Sequence, residues 1–301
     1  MSKRTKIWLM VAASLVLIGG ILFGCVMAEI NWDFKKLSTA EYGESRYSLW
    51  KDYKNISIVT NTADIRLIPA ENGENSVHCF EQRNVKHSVE IKGDTLVIEV
   101  QDTRAWYEYI GFGFDKPKIT LTIPRGEYGS LSVKASTGDV TISKAFHFDS
   151  MDISQATGST VNNASVSGTM KIKTSTGSIR VNDVSADSLQ LSVSTGKVTV
   201  TNARCNHFWS EGDTGDLVLK NVVADKKLVV ERDTGDVELV GCDAGELFIE
   251  TDTGHVKGSL LTDKIFTAES DTGRVDVPKT VTGGRCEIST DTGDIKITIQ
   301  P

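Results

Sequence analysis

The sequence contains few of the residues on which enzyme active sites are commonly built. It has five histidines, and they stand at unrelated positions: His78, His87, His147, His207 and His255. A catalytic triad or a metal site needs several such groups that converge, so we predict neither among the histidines. The sequence therefore predicts a protein that is not an enzyme and that uses no cofactor.

Positive charge is scarce in most of the chain. From Glu29 on, there are 30 basic and 40 acidic residues, which gives a net charge of −10. Proteins hold nucleic acid mainly through basic residues that contact its phosphates. We therefore predict that nucleic acid is not a partner.

What the sequence does contain is a repeat. The dipeptide Thr-Gly returns nine times between residues 137 and 293. Its glycines, which are 19 or 20 residues apart, are Gly138, Gly158, Gly177, Gly196, Gly215, Gly235, Gly254, Gly273 and Gly293. A period this regular indicates a solenoid, in which each repeat forms one coil of a stack.

Apolar residues alternate with others on both sides of each Thr-Gly. Positions seven and five before the glycine and two after it are apolar in most coils, as at Leu189, Leu191 and Val198. This period of two, rich in β-branched residues, is typical of strands, and no helical period crosses a coil. We predict an all-β, parallel β-solenoid with nine coils at 131–301. The glycines are expected at corners that need a positive φ.

The cysteines of this region do not fit a disulfide pattern. Cys205, Cys242 and Cys286 occupy different positions in coils that are mostly not adjacent. Two cysteines whose Cα atoms lie more than about 7 Å apart cannot be bridged. We therefore predict that these three, and Cys79 before them, are buried free thiols.

The one long apolar run lies at the N-terminus. Residues 7–28 carry no charge and follow Lys3, Arg4 and Lys6. This length spans a bilayer, and the basic residues before it place the N-terminus in the cytoplasm. We predict a cytoplasmic tail at 1–6, a single-pass membrane anchor at 7–28, and the bulk of the chain outside. A lipoprotein signal ending at Cys25 and a cleaved signal peptide are the alternatives.

The residues between the anchor and the repeats are less regular. We predict a juxtamembrane connection at 29–54 and an irregular β cap at 55–130, because the terminal units of solenoids are usually atypical. Residues 55–68 resemble one coil with Ala63 in place of the glycine. Further strands are predicted at 88–91, 95–100 and 118–123, with a turn at 92–94.

A dense aromatic segment interrupts the cap. Residues 104–114 include Trp106, Tyr107, Tyr109, Phe112 and Phe114. These side chains either plug the open end of the core or form a loop that contacts a protein, a glycan or a membrane surface. The segment is the predicted contact site of the chain.

These stretches together resemble a known family. The anchor, the strand at 93–99, the strand that ends at Pro124 and the repeated Ser/Asp-Thr-Gly-Asp-Val resemble a bacterial family of β-strand-repeat proteins, the "putative adhesins", which carry a domain of unknown function. The resemblance covers residues 50–301. It implies an architecture and no active site, and relatives are also associated with cell-envelope stress operons.

An acidic column runs through the second half of the repeat. The residue two before the glycine is an aspartate in five coils: Asp213, Asp233, Asp252, Asp271 and Asp291. Each opens an Asp-Thr-Gly triplet, but an aspartic protease needs two facing carboxylates that share a proton, and a column does not provide them. The column either stabilises turns or binds Ca²⁺. We favour turns, because the glycine-rich nonapeptide of Ca²⁺-binding β-rolls is absent.

The constant coil length also bears on function. Large β-helices that cleave acidic polysaccharides use clefts built by long insertions, and coils of 19 or 20 residues have no room for these. We predict a membrane-anchored, extracytoplasmic, adhesin-like binding protein whose partner is an envelope protein or a surface glycan. The alternative is a regulatory or scaffold component of a cell-envelope stress response that acts on another membrane protein. We expect a monomer or weak self-association, with an unpaired edge on the strands after Gly293.

Overall fold

The computed structural model describes residues 2–38, 40–106, 108 and 115–300. It begins with one helix, α1, at Lys3–Glu29, where the Ser2 hydroxyl caps the first turn by accepting a hydrogen bond from the backbone N–H of Thr5. Helix α1 is long and apolar enough to cross a membrane, as the sequence predicts. A short 3-10 helix follows at Phe34–Leu37.

The remaining regular structure is β. The strands are β1 (Tyr42–Ser48), β2 (Asn55–Thr62), β3 (Asp64–Pro69), β4 (Ser76–Gln82), β5 (Val85–Lys92), β6 (Thr95–Asp102), β7 (Lys118–Ile123), β8 (Gly126–Thr137), β9 (Val140–Ile142), β10 (Phe146–Thr157), β11 (Thr160–Asn162), β12 (Ser165–Val166), β13 (Thr169–Thr176), β14 (Ile179–Thr195), β15 (Val198–Thr214), β16 (Leu217–Thr234), β17 (Val237–Thr253), β18 (Val256–Leu260), β19 (Lys264–Thr272), β20 (Val275–Asp276), β21 (Gly284–Thr292) and β22 (Ile295–Ile299). They wind into a β-solenoid of about nine turns, which confirms the predicted fold.

Equivalent positions of successive coils pair in parallel. In the middle of the stack, Leu189 pairs with Phe208, which pairs in turn with Leu228. These side chains lie on the inner face and are almost completely buried, as strand alternation predicts. The core is thus a set of apolar columns along the solenoid axis. The four cysteines of the β region are free and buried within it, as predicted.

The Thr-Gly corner requires glycine for two reasons, which Gly215 illustrates. Its φ is 130°, a conformation that residues with a Cβ rarely adopt. A Cβ there would also lie 2.1 Å from the carbonyl oxygen of Gly196 in the preceding coil. Glycine carbonyls of this corner also accept hydrogen bonds from polar side chains of the neighbouring coil. Each donor lies three residues before the glycine of its own coil, and the donors are Gln155, Thr174, Thr251, Ser270 and Thr290.

A second corner is built from polar residues in the left-handed conformation. Asp183, Asn202 and Asn221 have φ values between 52° and 55°, which Asn and Asp tolerate better than most residues. Asn202 Nδ2 donates to Asp183 Oδ1 at 2.7 Å, and Asn221 Nδ2 donates to Asn202 Oδ1 at 2.9 Å. This ladder of side chains links three coils at the corner six residues after the glycine.

Both ends of the stack exchange the order of their coils. At the N-terminal end, β2 pairs with β8 on one side and with β6 on the other. Strands β2 and β3 therefore form the second coil, and β6 and β7 lie outside them. At the C-terminal end, β21 lies between β17 and β19, and β22 lies between β18 and β20. The coil of Gly273 is thus outermost, and the coil of Gly293 is inserted beneath it.

This exchange corrects one prediction. The strands after Gly293 were expected to leave an unpaired edge, and this is wrong, because β21 and β22 have a neighbour on each side. Ile295, which pairs with Val256 on one side and with Val275 on the other, is fully buried. The edge belongs to β19 and β20 instead, where Val275 remains 43% exposed.

Antiparallel strands cover the N-terminal end. Strand β4 pairs with β7 and with β1, and β5 pairs with β6. The predicted coil around Ala63 is present as β2 and β3, and the strands predicted at 88–91, 95–100 and 118–123 are present as β5, β6 and β7. Strand β4 was not predicted, and β1 lies within the stretch predicted as a juxtamembrane connection.

Candidate binding surface

The first strand of each coil turns one row of side chains outward. Positions six, four and two before the glycine alternate with the buried positions seven, five and three before it, as the burial of β16 and β17 illustrates. In the C-terminal half of the stack these outward positions carry three distinct columns. We call them together the acidic face: the apolar column Trp209, Val229 and Phe248, the glutamate column Glu211, Glu231, Glu250 and Glu269, and the aspartate column Asp213, Asp233, Asp252, Asp271 and Asp291.

The apolar column lies in register across three coils. Trp209 pairs with Val229, and Val229 pairs with Phe248. All three side chains are partly exposed. Lys227 Nζ lies 4.4 Å from the centre of the Phe248 ring, and the Arg285 guanidinium carbon lies 5.5 Å from it. The ring faces of this column are therefore able to contact cations.

The glutamate column stacks like charges. Glu211 pairs with Glu231, and Glu231 pairs with Glu250. Adjacent strands are about 4.8 Å apart, so each such pair repels by about 1 kcal/mol even in water. Ser192 Oγ donates to Glu211 Oε1 at 2.7 Å. Among the residues that the structure describes, no lysine or arginine forms an ion pair with these three carboxylates.

The aspartate column is exposed, and the turn hydrogen bonds come from a different column. Among the described side chains, none of its five aspartates makes a hydrogen bond. Where the residue after the glycine is an aspartate, it takes that role instead: Asp236 Oδ1 accepts the backbone N–H of His255 at 2.8 Å, and Asp294 Oδ1 accepts that of Arg274 at 2.9 Å. The turn role predicted for the aspartates two residues before the glycine thus belongs to the aspartates directly after it. Ca²⁺ binding by the column stays a prediction.

Two shallow cavities open on the acidic face. One, of about 240 Å³, is lined by residues that include Val229, Phe248, Glu231, Glu250 and Glu269. The other, of about 290 Å³, includes Glu211, Asp213, Glu231 and Asp233. The carboxylates therefore line two depressions that a small group of a binding partner is able to enter.

A buried arginine lies beneath the carboxylates. Arg232 stands in an inner position and is only 3% exposed. Its Nη2 donates to Ser210 Oγ at 2.6 Å, while Nε and Nη1 have no hydrogen-bond partner. Burial lowers the pKa of Arg232 to about 10, and Glu211 and Asp213 oppose this shift. Its positive charge partly offsets the repulsion between the carboxylates above it.

The aromatic segment predicted as a contact site lies mostly outside the described residues. Trp106 is described and is 78% exposed. Tyr107, Tyr109, Phe112 and Phe114 are outside the described residues. Contact through this segment therefore stays a prediction.

The cap holds a polar cluster that the sequence analysis missed. His87 Nδ1 lies 2.9 Å from Glu81 Oε2, and His87 Nε2 lies 2.9 Å from Thr60 Oγ1. Cys79 lies beside them, and all four residues are buried. The histidines were predicted to stand at unrelated positions, and His87 instead lies beside other titratable side chains. The signal was the alternation of Cys79 and Glu81, which puts both on one face of an unrecognised strand.

Comparison with known proteins identifies the fold. Residues 53–298 match the model of the family described as Toastrack DUF4097. No curated protein matches the chain. Among solved structures, a putative adhesin from Parabacteroides merdae has a TM-score of 0.53 and 11% identity, and a putative lipid binding protein from Parabacteroides distasonis has 0.51 and 12%. A putative adhesin from Parabacteroides distasonis has 0.50 and 13%.

The extent of these matches decides what they establish. Each of the three alignments covers 87% of this chain and 98% of the other. Identities this low establish a shared fold and nothing about ligands. The family match, in contrast, extends over the whole solenoid and most of the sequence. The chain is therefore a member of the Toastrack DUF4097 family, whose domain has no known function.

Proposed function

We propose that this protein is a non-catalytic binding protein, held at the outside of a membrane by α1, and that the acidic face is its binding surface. The observation that carries the proposal is the in-register stack of Glu211, Glu231 and Glu250 beside the partly exposed rings of Trp209 and Phe248. A protein does not gain stability from stacked like charges. A surface that keeps them beside apolar rings is better explained by binding.

The chemistry of the face favours a positively charged partner. A cation placed between the glutamates would relieve their mutual repulsion, and the rings beside them would accept aliphatic or cationic groups. The net charge of −10 from Glu29 on adds attraction over a longer range. These features are best matched by a lysine-rich or arginine-rich protein segment with interspersed apolar residues. Neutral and acidic glycans lack the charge.

The membrane part of the proposal rests on α1. It has 27 residues, is mostly exposed, and carries no charged residue between Ile7 and Ala28. Such a helix spans the hydrocarbon core of a bilayer. Lys3, Arg4 and Lys6 favour the cytoplasmic side for the N-terminus. The solenoid is then outside, where a basic segment of another envelope protein is within reach.

Binding is tested with charge-neutral variants of the face. We compare the wild type with the triple variant Glu211→Gln, Glu231→Gln, Glu250→Gln, using a lysine- and leucine-containing peptide as probe. Affinity is expected to fall about tenfold in the triple variant and to fall with added salt in the wild type. The control variant Glu90→Gln, Glu99→Gln, Glu127→Gln removes the same charge elsewhere and should bind like the wild type. If both variants bind the peptide equally, or if a neutral oligosaccharide binds better, the proposal is wrong.

Topology is tested separately. Protease added to cells stripped of their wall is expected to digest the solenoid and to leave residues 1–28 intact. Sequencing of the mature protein is expected to give an N-terminus near Met1. A mature protein that begins with lipid-bearing Cys25 would contradict the helical anchor and leave the binding result unaffected.

A further inference from the structure

We propose that Cys79, Glu81 and His87 form a binding site for a divalent transition-metal ion of the zinc class. Cys79 and Glu81 lie on the inner side of β4, and His87 enters from β5 across a two-residue turn. Their ligand atoms all lie within 4.8 Å of one another. The three residues are at most 3% exposed, so the cluster is inside the cap and independent of the acidic face.

Neighbouring side chains orient two of the three ligands. Ser45 Oγ donates to Glu81 Oε1 at 3.0 Å, which leaves Oε2 to face His87. Thr60 Oγ1 lies 2.9 Å from His87 Nε2, which leaves Nδ1 to face Glu81 Oε2 at 2.9 Å. Histidines and carboxylates that bind metals are commonly fixed in this way by a partner on their other atom. The arrangement goes beyond what a chance cluster of titratable groups would need.

The set of donors selects the class of metal. A thiolate with an imidazole and a carboxylate suits Zn²⁺ or Co²⁺, whereas Ca²⁺ and Mg²⁺ prefer oxygen ligands alone. Two anionic ligands and one neutral imidazole together neutralise the charge of a divalent cation. This neutrality lowers the free-energy cost of burying the ion. In a tetrahedral zinc site the ligand atoms are about 3.3 to 3.8 Å apart. Side-chain shifts of about 1 Å bring the three ligands to that spacing.

Protons mark the difference between the free and the bound cluster. Burial, together with the nearby Glu81, raises the pKa of the Cys79 thiol to about 12, so the free thiol is protonated at neutral pH. A metal ion that binds the thiolate displaces that proton. Binding should therefore release protons, and the apparent affinity should rise with pH.

The rival interpretation is a metal-free hydrogen-bond network that only stabilises the cap. Glu81 Oε2 already accepts the backbone N–H of His87 at 2.8 Å, so the network is satisfied without a metal. The experiment must therefore measure coordination itself. The full chain in detergent, stripped with chelator, is titrated with Co²⁺, and the thiolate-to-cobalt absorption is recorded.

We expect one Co²⁺ per chain with thiolate absorption, displacement by Zn²⁺ and no displacement by Ca²⁺. Cys79→Ser should abolish the absorption, while Cys205→Ser and Cys286→Ser, which alter equally buried thiols, should keep it. Thr60→Val leaves every ligand in place and should weaken binding about tenfold. Because a variant at position 79 could unfold the cap, proton release on Zn²⁺ addition is also measured on the wild type. Absent thiolate absorption and absent proton release in the wild type, or absorption that survives Cys79→Ser, would overturn the proposal.

Discussion

The middle of the solenoid and its two ends contain similar strands, but the coils pair in a different order in each region. In the middle, each coil pairs with the coil that follows it in the chain, as Leu189 pairs with Phe208. At the C-terminal end, Leu247 pairs with Cys286, which is 39 residues further on, and the intervening coil lies outside. The comparison teaches that a repeat determines the local pairing of its coils but does not determine where the stack stops.

The two ends also differ from each other. The N-terminal end is covered by the antiparallel strands β1, β4 and β5, and a polar cluster is buried under them. The C-terminal end exposes the outermost coil, where Phe266 and Ala268 are only partly buried. Only one end of the solenoid is therefore capped within the part of the chain that the structure describes.

The largest effect is expected in the middle, from Gly215→Val. The new Cβ would lie 2.1 Å from the carbonyl oxygen of Gly196, at a φ that disfavours any side chain. Strain and overpacking together should lower the free energy of unfolding by about 3 to 6 kcal/mol. Denaturant unfolding measures it. The control is Gly43→Val on β1, where a Cβ meets no atom within 4 Å, and equal stabilities for the two variants would contradict this account of the corner.

The next largest effect separates the exchanged order from a sequential one. Ile295 and Val275 occupy the same repeat position, but Ile295 is fully buried in the inserted coil and Val275 is 43% exposed in the outer one. Ile295→Ala should therefore cost about 2 to 4 kcal/mol and Val275→Ala less than about 1 kcal/mol. Thermal and denaturant unfolding of both variants decide the order. A larger cost for Val275→Ala would mean that the coils stack in chain order.

A gain in stability is expected from Arg232→Met. The substitution removes two buried N–H groups without partners and a buried charge, and methionine fills much of the same space beside Gly212. Replacing a poorly compensated buried charge by an apolar residue commonly stabilises, here by about 1 to 3 kcal/mol. Arg180→Met, at an exposed position of the middle, controls for the loss of charge. A less stable Arg232→Met variant would show that the acidic face depends on the charge beneath it.

The smallest effect concerns the exposed end. Hydrogen bonds from Arg274 hold the pKa of Asp294 below its ordinary value of 3.8, and this contact links the outermost coil to the inserted one. A carboxyl whose pKa is lowered in the folded state stabilises above its ordinary pKa, and the contribution disappears as the pH falls below it. Arg274→Gln should lower the melting temperature slightly at pH 7 and not at pH 2. If the two proteins still differ in melting temperature at pH 2, the destabilisation does not come from the pair of Arg274 and Asp294.

The sequence was sufficient for the fold because its chemistry is periodic. Glycine at a corner and apolar residues at alternate positions impose one solution on every coil, and inner residues such as Val198 and Leu217 lie where the period places them. The exchange at the ends was not predictable, since the coils of Gly254, Gly273 and Gly293 present nearly the same pattern. The order in which these three coils pair depends on small differences in side-chain packing, which the repeat pattern does not show.

The candidate surfaces were only partly predictable. The aspartate column was visible because it is locked to the Thr-Gly signal, but the adjoining columns of Glu211 and Trp209 emerge only when the outward positions of several coils are aligned in space. The cluster of Cys79, Glu81 and His87 was hidden for another reason. Its three residues come from β4 and β5, which pair antiparallel outside the Thr-Gly repeat.

The exchanged C-terminal coils also affect how the protein is made. Residues 264–276 leave the ribosome before residues 284–299, so they are able to reach the open coil of Gly254 before its final neighbour does. Their matching Thr-Gly signal allows them to dock there in the same register. The nascent chain must then release this early pairing so that β21 and β22 can insert. Translation order and final order conflict at this one position, and we expect the slowest step of maturation to be the exchange of one coil for the next.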